Sequence, residues 1–189
     1  MPLEIEIKLK VDDLAPVRER LKQLGAKRVG EALETNVFFD TADRELLGSD
    51  CGLRLRLSRD SASGYEKLRI TYKGPRAEGP VKSREEIEVG VDSMDTAVEL
   101  LERLGYMRML TFEKRRETWM LEKSCSVELD TLPHIGSFVE IECKSEADVL
   151  RIREKLGLAH VNHVLPTYAD LVSRHLNDRG TRQMSLHFE

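Results

Sequence analysis

The first strand of the chain constrains its fold more than any other stretch, because apolar and charged residues alternate through it without a break. Residues 3–10 are Leu-Glu-Ile-Glu-Ile-Lys-Leu-Lys. Strict alternation predicts a β-strand, since successive side chains leave opposite faces of the pleat. Glu4, Glu6, Lys8 and Lys10 then share one face, with the two carboxylates about 7 Å apart. Two carboxylates at that spacing can bind one cation, but a half-buried strand with a solvent-exposed face has the same pattern.

The alternation recurs in later predicted strands, and their polar faces carry mostly full charges. These faces together contain Glu4, Glu6, Lys8, Arg54, Arg56, Arg69, Lys73, Arg84, Glu86, Glu88, Lys114, Arg116, Asp130, Glu140 and Glu142. In an open sheet these rows would be solvated. If the sheet closes into a barrel with helices outside, the same rows line a water-filled interior. Burying so many charges requires that they pair, bind metal or bind a polyanion.

Four stretches with apolar residues at three- and four-residue spacing predict helices. They run from Asp12 or Asp13 to Gly25, from Asp92 or Ser93 to Gly105, from Ser145 to Gly157 and from Tyr168 to Leu176. Together with the predicted strands, these helices predict an α+β fold. A chain of 189 residues without a composition break predicts one domain. We place this domain at residues 1–176 and expect residues 177–189 to form a frayed polar tail.

Composition narrows the range of partners. Charged residues make up 34% of the chain, but the formal net charge is only −4. The chain therefore lacks the general excess of basic residues that would predict nucleic acid binding. The chain has no apolar run of about 18 residues and no signal-like start, which predicts a cytoplasmic protein without a membrane partner. Cys51, Cys125 and Cys143 are scattered and lack metal-ligand spacing. We therefore expect three thiols, with neither a disulfide framework nor a zinc site.

The two kinds of charge suit two kinds of ligand. Carboxylate rows without Cys or His partners favour hard cations such as Mg²⁺ or Mn²⁺, which also bind substrate phosphates. Arginine and lysine rows favour phosphate oxygens. Carboxylates that can bind a metal and basic side chains that can bind an anion would lie in one tunnel. This combination predicts a metal-triphosphate site. The sequence has no P-loop, Ser-His-Asp set or zinc motif that would support a more common nucleotide fold or hydrolase.

At these residues the sequence resembles the CYTH superfamily, the triphosphate tunnel metalloenzymes. Glu4-Ile5-Glu6-Ile7-Lys8 matches the ExExK signature of that superfamily. Further matching segments are Phe39-Asp40-Thr41, residues 53–56, residues 71–75, Arg84 with Glu86 and Glu88, Lys114 with Arg116, Leu129-Asp130, residues 136–142 and Tyr168-Ala169-Asp170-Leu171. The resemblance covers roughly residues 1–176. The chain is most similar to the branch with class IV adenylyl cyclases and thiamine triphosphatases.

The resemblance implies a fold and a set of site residues. The implied fold is a closed antiparallel β-barrel of about eight strands whose tunnel binds a triphosphate, with helices packed outside. The implied metal ligands for Mg²⁺ or Mn²⁺ are Glu4, Glu6, Asp130, Glu140 and Glu142. The implied triphosphate-binding residues are Lys8, Arg54, Arg56, Lys73, Lys114 and Arg116. Glu4, Glu6 and Lys8 of the signature are the implied catalytic residues.

The activity stays open among three alternatives. Water could attack a terminal phosphorus in a triphosphatase, or the ribose 3′ hydroxyl of ATP could attack the α-phosphorus to give cyclic AMP and pyrophosphate. A non-catalytic polyphosphate or nucleotide sensor is the third. The candidate ligands are a nucleoside triphosphate, thiamine triphosphate and inorganic tripolyphosphate, and a homodimer is one oligomeric state we keep open. Phe38 stands where many family members have Tyr before Phe-Asp-Thr, which disfavours a tripolyphosphatase that pairs this tyrosine with a lysine.

Overall fold

The computed structural model describes residues 3–76, 82–122, 125–180 and 184–189, with side chains from Ile5 onward in the first strand and from Arg84 onward in the fifth. Nine strands lie in these ranges. They are β1 (Leu3–Val11), β2 (Lys27–Asp40), β3 (Gly52–Asp60), β4 (Glu66–Arg76), β5 (Lys82–Val91), β6 (Met107–Glu122), β7 (Cys125–Leu132), β8 (Gly136–Cys143) and β9 (Ser185–Leu186).

Five helices connect or follow the strands. They are α1 (Ala15–Gln23), α2 (Glu45–Gly48), α3 (Met94–Arg103), α4 (Glu146–Lys155) and α5 (Tyr168–Asp178). The predicted Leu-Gly helix ends are confirmed at Gly25 and Gly105, whose φ angles of 74° and 93° favour glycine. The start of α1 differs slightly, because Leu14 occupies the N-cap position while the Asp13 carboxylate accepts a hydrogen bond from the Ala15 N–H. Each helix in the described ranges is too short to span a bilayer.

The strands form one curled sheet around a cavity, and every described strand pair is antiparallel except β6 with β9. The order along the sheet is β2-β3-β4-β5-β1-β8-β7-β6-β9, and β2 also pairs with β6. The pairing of β1 with β5 is described for only four residues of β1, whereas β2 and β6 pair over most of their lengths. The prediction of an α+β fold built on about eight antiparallel strands is confirmed.

Helices cover the apolar outer face of the sheet, which leaves the charged face for the cavity. Helices α1 and α4 pack on β1, β7 and β8, where Leu9, Val139 and Ile152 are fully buried. Helix α3 packs its stripe, including Val98, on β2 and β3. Helix α5 packs on β6 in a third cluster that includes Val172. The period-two pattern therefore separates a dry side from a charged side along each strand.

The C-terminal residues do not fray as expected. Strand β9 pairs in parallel with Thr111 and Phe112 of β6, and Leu186 is 7% exposed. The Phe188 N–H donates to the Glu113 carboxylate at 2.9 Å. The prediction of a frayed tail is therefore wrong for residues 184–189, because an apolar side chain and backbone hydrogen bonds attach them to β6.

Two of the three predicted thiols form a disulfide. Cys125 and Cys143 stand directly opposite each other on β7 and β8, with Cα atoms 4.3 Å apart, and their sulfurs are bonded. Cys51 is a free, half-buried thiol whose sulfur accepts a hydrogen bond from the Tyr72 hydroxyl. The expectation of three thiols is wrong, since the hairpin register brings together cysteines that sequence spacing leaves unrelated.

Candidate triphosphate and metal site

A cavity of about 1120 Å³ lies inside the curled sheet. Its charged lining consists of Glu6, Lys8, Asp40, Arg44, Asp50, Arg54, Arg56, Arg69, Lys73, Arg76, Arg84, Glu86, Glu88, Lys114, Arg116, Glu128, Glu140, Glu142 and Asp170. The structure thus brings most of the predicted site residues to one cavity. Asp130 lies beneath the wall and is fully buried. Glu4 is in β1, but its side chain is outside the described residues.

The acidic part of the cavity is built across the β1–β8 pair. Glu6 stands directly opposite Glu142, and Lys8 directly opposite Glu140. The Lys8 ammonium lies 3.8 Å from the Glu140 carboxylate. Burial, followed by repulsion from Glu6, raises the pKa of Glu142. Ionising one carboxylate beside another has an electrostatic cost, and a bound cation would reduce that cost. This pair is therefore a candidate cation site.

Arg116 connects three carboxylates in the neighbouring part of the wall. Its guanidinium bonds to Glu128, to both oxygens of Asp130 at 2.6 and 2.7 Å, and to Glu140 at 2.6 Å. Burial opposes the charge on Arg116, but Asp130, Glu128 and Glu34 outweigh it, so its pKa lies well above the usual range. Burial and repulsion from Asp130 outweigh Arg116 at Glu128, and the pKa of Glu128 rises to about 7.

These three carboxylates also satisfy the spacing of a metal site. One oxygen from each of Glu128, Asp130 and Glu140 lies within 4.8 Å of the others. The Arg116 guanidinium already supplies positive charge to all three. A cation at this position would therefore have to compete with Arg116.

Asp130 ties the wall to α5 through a tyrosine. Besides Arg116, it accepts hydrogen bonds from the Lys114 ammonium at 3.1 Å and from the Tyr168 hydroxyl at 2.8 Å. The Tyr168 ring lies 4.2 Å from the Lys8 nitrogen and 4.8 Å from that of Lys114, which are cation–π distances. Burial and Asp130 raise the pKa of Tyr168 well above its ordinary value. Tyr168 is therefore a neutral support for two lysines.

A second acidic residue holds the basic rows on β2, β3 and β6. The Glu34 carboxylate lies 3.2 Å from Arg56 and 3.4 Å from Lys114. Arg56 also donates to the Asn36 side-chain carbonyl at 3.2 Å. Burial opposes ionisation of Glu34, but Arg56 and Lys114 more than compensate and lower its pKa. One buried carboxylate thus holds two predicted phosphate-binding residues in place.

The remaining predicted basic residues are less well compensated. Arg54 is 9% exposed and donates to the Thr71 hydroxyl at 3.3 Å. Burial and repulsion from Arg56 lower the pKa of Arg54. Lys73 forms an ion pair with Glu86, but burial and repulsion from Arg54 still lower its pKa. A bound polyanion would relieve the excess positive charge around Arg54.

Two other charged lining residues have visible structural partners. Arg84 donates to the carbonyl oxygens of Gly74 at 2.8 Å and Asp50 at 2.5 Å, which joins the loop after α2 to β4 and β5. Arg69 and Glu88 form an ion pair across β4 and β5. These contacts connect strands that surround the cavity.

The Phe39-Asp40-Thr41 motif has a local structural explanation. The buried Asp40 carboxylate accepts hydrogen bonds from the N–H groups of Thr41, Leu46 and Leu47 at 2.8, 3.0 and 3.0 Å. It thereby fixes the short helix α2 at one end of the cavity. Phe38, next to it, lines the cavity and stacks on Phe112 with ring centres 5.7 Å apart.

Sequence reasoning assigned no site role to four residues here, although one of them, Tyr168, stands in a segment that resembles the family. They are Glu34, Asn36, Glu128 and Tyr168. Glu34, Asn36 and Phe38 share one parity of β2, so the alternation that identified the other strands would have found the first two. Glu128 shares the parity of Asp130 on β7. Tyr168 lies at a helix start, where no strand pattern applies.

Comparison with known proteins identifies the family of this chain. The CYTH domain family model matches residues 2–168. Over 179 residues, which are 89% of this chain and 98% of the relative, the chain is 30% identical to the protein named "Putative adenylate cyclase MJ0240" of Methanocaldococcus jannaschii. The chain therefore belongs to the CYTH domain family.

Solved structures show the same fold. The PH1819 protein of Pyrococcus horikoshii OT3 superposes with a TM-score of 0.77 at 28% identity, covering 91% of this chain and 99% of that protein. The structure described as "Putative adenylyl cyclase HpAC1 from Hippeastrum", with a dominant triphosphatase activity, gives a TM-score of 0.66 at 20% identity over 95% of this chain and 97% of that one. At that identity, the second likeness shows the fold alone.

Proposed function

We propose that this protein is a divalent-metal-dependent enzyme that acts on a triphosphate held inside its β-sheet, which closes into a tunnel. The observation that carries the proposal is the cross-strand pair of Glu6 and Glu142 beside cationic rows in one cavity. The β1–β5 and β2–β6 pairings support closure of the sheet. A sensor of polyphosphate would need the cationic rows but not the acidic pair, so the acidic pair favours an enzyme.

The acidic residues fit Mg²⁺ or Mn²⁺ in chemistry and in charge. Glu6, Glu140 and Glu142 offer oxygen ligands, and hard cations prefer such ligands. The raised pKa of Glu142 supports this assignment, because a cation would offset its repulsion from Glu6. The parity of β1 adds Glu4 to the proposed set. When bound, the cation supplies Lewis-acid stabilisation of charge on the phosphoryl oxygens.

We assign Asp130 a different role from the metal ligand predicted from sequence. Its two oxygens accept hydrogen bonds from Arg116, Lys114 and Tyr168, and none of its surface is exposed. It therefore positions cations that face the cavity. Arg116, bound to three carboxylates, orders the acidic wall, and a triphosphate would have to compete with these carboxylates for it.

The basic residues stabilise charge on the substrate. Lys8 and Lys114, supported on the Tyr168 ring, present ammonium groups, while Arg54 and Arg56 present guanidinium groups that match phosphate oxygens. Lys73 extends this row from β4. In phosphoryl transfer most catalysis comes from positioning and from neutralising the equatorial oxygens.

Two reactions share this site, and each has an observation in its favour. Cyclisation of ATP agrees with Phe38, which has no hydroxyl to take part in activating water, and with the name of the Methanocaldococcus relative. Hydrolysis agrees with the triphosphatase activity described for the Hippeastrum structural neighbour. Tyr168 is a poor general base in either case, because burial keeps it neutral.

Product analysis separates these alternatives. Purified protein is incubated with ATP, thiamine triphosphate or inorganic tripolyphosphate, with Mg²⁺ or Mn²⁺, and products are resolved by ion-exchange chromatography. Cyclic AMP with pyrophosphate identifies a cyclase, and orthophosphate with a diphosphate identifies a hydrolase. Tight binding of all three without turnover under either metal would contradict the enzyme proposal and favour a sensor. A Glu6→Gln preparation controls for contaminating phosphatases.

A further inference from the structure

An uncharged polar side chain lies in the inward-facing row of β2. Asn36 follows Glu34 and precedes Phe38 in that row, and it stands directly opposite Arg56 of β3 and Phe112 of β6. Its side chain lines the cavity, and the residue is only 2% exposed. Asn36 thus offers an amide group to the cavity beside a predicted phosphate-binding arginine.

The contact with Arg56 determines which way this amide points. The Arg56 Nε–H donates to the Asn36 side-chain oxygen at 3.2 Å. Because a guanidinium has donors only, the amide oxygen must face Arg56 and the NH₂ group must point away from it. The Asn36 side-chain nitrogen is buried and has no hydrogen-bond partner among the described residues. Burying an amide donor without an acceptor is unfavourable, so we expect this NH₂ group to bind an acceptor that enters the cavity.

The neighbouring side chains do not supply that acceptor. The rings of Phe38 and Phe112 carry no oxygen or nitrogen. Glu34 lies two residues away in the same row, but Arg56 and Lys114 already hold its carboxylate. The acceptor is therefore an oxygen of water or of a ligand.

The charges around Asn36 favour an anionic oxygen over water. Arg56 lies directly across on β3, Arg54 lies two residues away from Arg56 on the same strand, and Lys114 stands opposite Glu34 on β6. All three cations line the cavity. An oxygen that accepts a hydrogen bond from Asn36 would lie in the positive potential of these groups, which stabilises a phosphoryl oxygen more than a water molecule.

A neutral donor suits this position better than another cation. Burial and repulsion from Arg56 already lower the pKa of Arg54. A cationic side chain in place of Asn36 would add to that repulsion, and a carboxylate would cancel positive charge that binds phosphate. The amide supplies a donor without net charge, and the hydrogen bond from Arg56 to its oxygen polarises it, which strengthens the NH₂ group as a donor.

We propose that Asn36 is a further triphosphate-binding residue, whose NH₂ group donates a hydrogen bond to a non-bridging oxygen of the phosphoryl group that Arg56 and Lys114 contact. This inference rests on the proposed function, because it assumes that the triphosphate occupies this cavity. Asn36 and Arg56 then bind one phosphoryl group as a hydrogen-bonded pair.

Nuclear magnetic resonance of side-chain amides tests the contact in the unmodified protein. The chain has three asparagines and two glutamines, so an isotope-labelled sample gives few side-chain NH₂ signals. Asn36→Asp keeps the shape of the side chain and lacks its NH₂ group, which assigns the Asn36 signals. We expect saturation with methylene-bridged tripolyphosphate at fixed free Mg²⁺ to shift an Asn36 amide proton downfield, while the signals of the exposed Asn177 stay in place. Unchanged Asn36 signals in the saturated protein would overturn this inference but leave the proposed function standing.

A double-mutant cycle separates direct contact from an effect through Arg56. Isothermal titration calorimetry measures tripolyphosphate affinity for the natural protein, Asn36→Ala, Arg56→Met and the double variant, with Asn177→Ala as the matched control outside the cavity. We expect Asn36→Ala to weaken binding about ten- to hundredfold, the range of a hydrogen bond to a charged group, and to weaken it about threefold or more in the Arg56→Met background. Asn177→Ala should leave the affinity unchanged.

The cycle also has outcomes that contradict the inference. An effect of Asn36→Ala that disappears in the Arg56→Met background would show that Asn36 only positions Arg56. Unchanged affinity of Asn36→Ala in the natural background would exclude any role in binding. Either result would overturn the inference and leave the proposed function standing, whereas failure of the natural protein to bind tripolyphosphate would overturn both.

Discussion

Glu6 on β1 and Glu142 on β8 are direct cross-strand partners whose side chains face the same cavity. Partners of this kind have Cβ atoms about 5 Å apart, and like charges at that distance are destabilising. Two residues further along β1, Lys8 pairs with Glu140. The repulsive pair of Glu6 and Glu142 therefore lies next to an attractive pair on the same face. We interpret this arrangement as a cation site built into the β1–β8 ladder.

Arg116 should be essential for stability. Without the Arg116 guanidinium, the carboxylates of Glu128, Asp130 and Glu140 would lie close together in a buried wall and lose the positive group that they share. Breaking a buried ion pair typically costs about 3–5 kcal/mol. We expect Arg116→Met to lower the free energy of unfolding by that order in urea denaturation at neutral pH. A loss below about 1 kcal/mol, the scale of an exposed ion pair, would contradict the cluster.

Arg54 should behave in the opposite way. Burial and repulsion from Arg56 already oppose its charge. Arg54→Met should therefore keep or raise the free energy of unfolding measured without added tripolyphosphate, while weakening tripolyphosphate binding at least tenfold. Urea denaturation and calorimetry on the same preparation measure both quantities. Marked destabilisation with unchanged tripolyphosphate affinity would show that Arg54 has a structural role.

The stability of the protein should depend on pH through Glu34. A carboxylate with a lowered pKa in the folded state stabilises the fold above its unfolded pKa of about 4.3, and that contribution is lost as pH falls through the folded value. Glu34 has a lowered pKa because of Arg56 and Lys114. Glu34→Gln should thus be less stable than the natural protein at pH 7, and the difference should begin to shrink below about pH 4 and keep shrinking as the pH falls toward the lowered pKa of the folded state. A difference that stays constant from pH 7 to pH 3 would contradict this linkage.

The disulfide should contribute measurably to stability. Cys125 and Cys143 are separated by 18 residues, and closing a loop of that size contributes about 3 kcal/mol in the chain-entropy account. The Cys125→Ala, Cys143→Ala double variant should lose that order of stability in non-reducing urea denaturation. Cys51→Ala is the control and should lose little. Equal stability of the natural protein with and without dithiothreitol would show that the bond contributes nothing.

The sequence predicted those parts of the structure that depend on local pattern. Alternation identified the strands and their charged faces, and apolar spacing with Leu24-Gly25 and Leu104-Gly105 identified the helices and two of their ends. These features follow from the geometry of single elements, so they do not require knowledge of the fold.

The parts that were not predicted depend on which strands become neighbours. The pairing of Cys125 with Cys143 follows from the register of the β7–β8 hairpin, and the contact of Arg116 with Glu140 joins β6 to β8 across β7. Docking of Leu186 on β6 likewise requires the sheet to exist first. Periodicity specifies the face on which a side chain lies, but it does not specify the partner across the sheet.

The most direct test of the account is metal binding by Glu142→Gln. Mn²⁺ affinity is measured by electron paramagnetic resonance in the absence of substrate, for the natural protein, Glu6→Gln, Glu142→Gln and Asp130→Asn, with the exposed Glu102→Gln as control. We predict that Glu6→Gln and Glu142→Gln each weaken Mn²⁺ binding at least tenfold with unchanged folding, while Glu102→Gln has no effect and Asp130→Asn mainly lowers stability. Full Mn²⁺ affinity in Glu142→Gln, with loss of affinity in a folded Asp130→Asn, would place the cation in the Arg116 cluster and contradict the account.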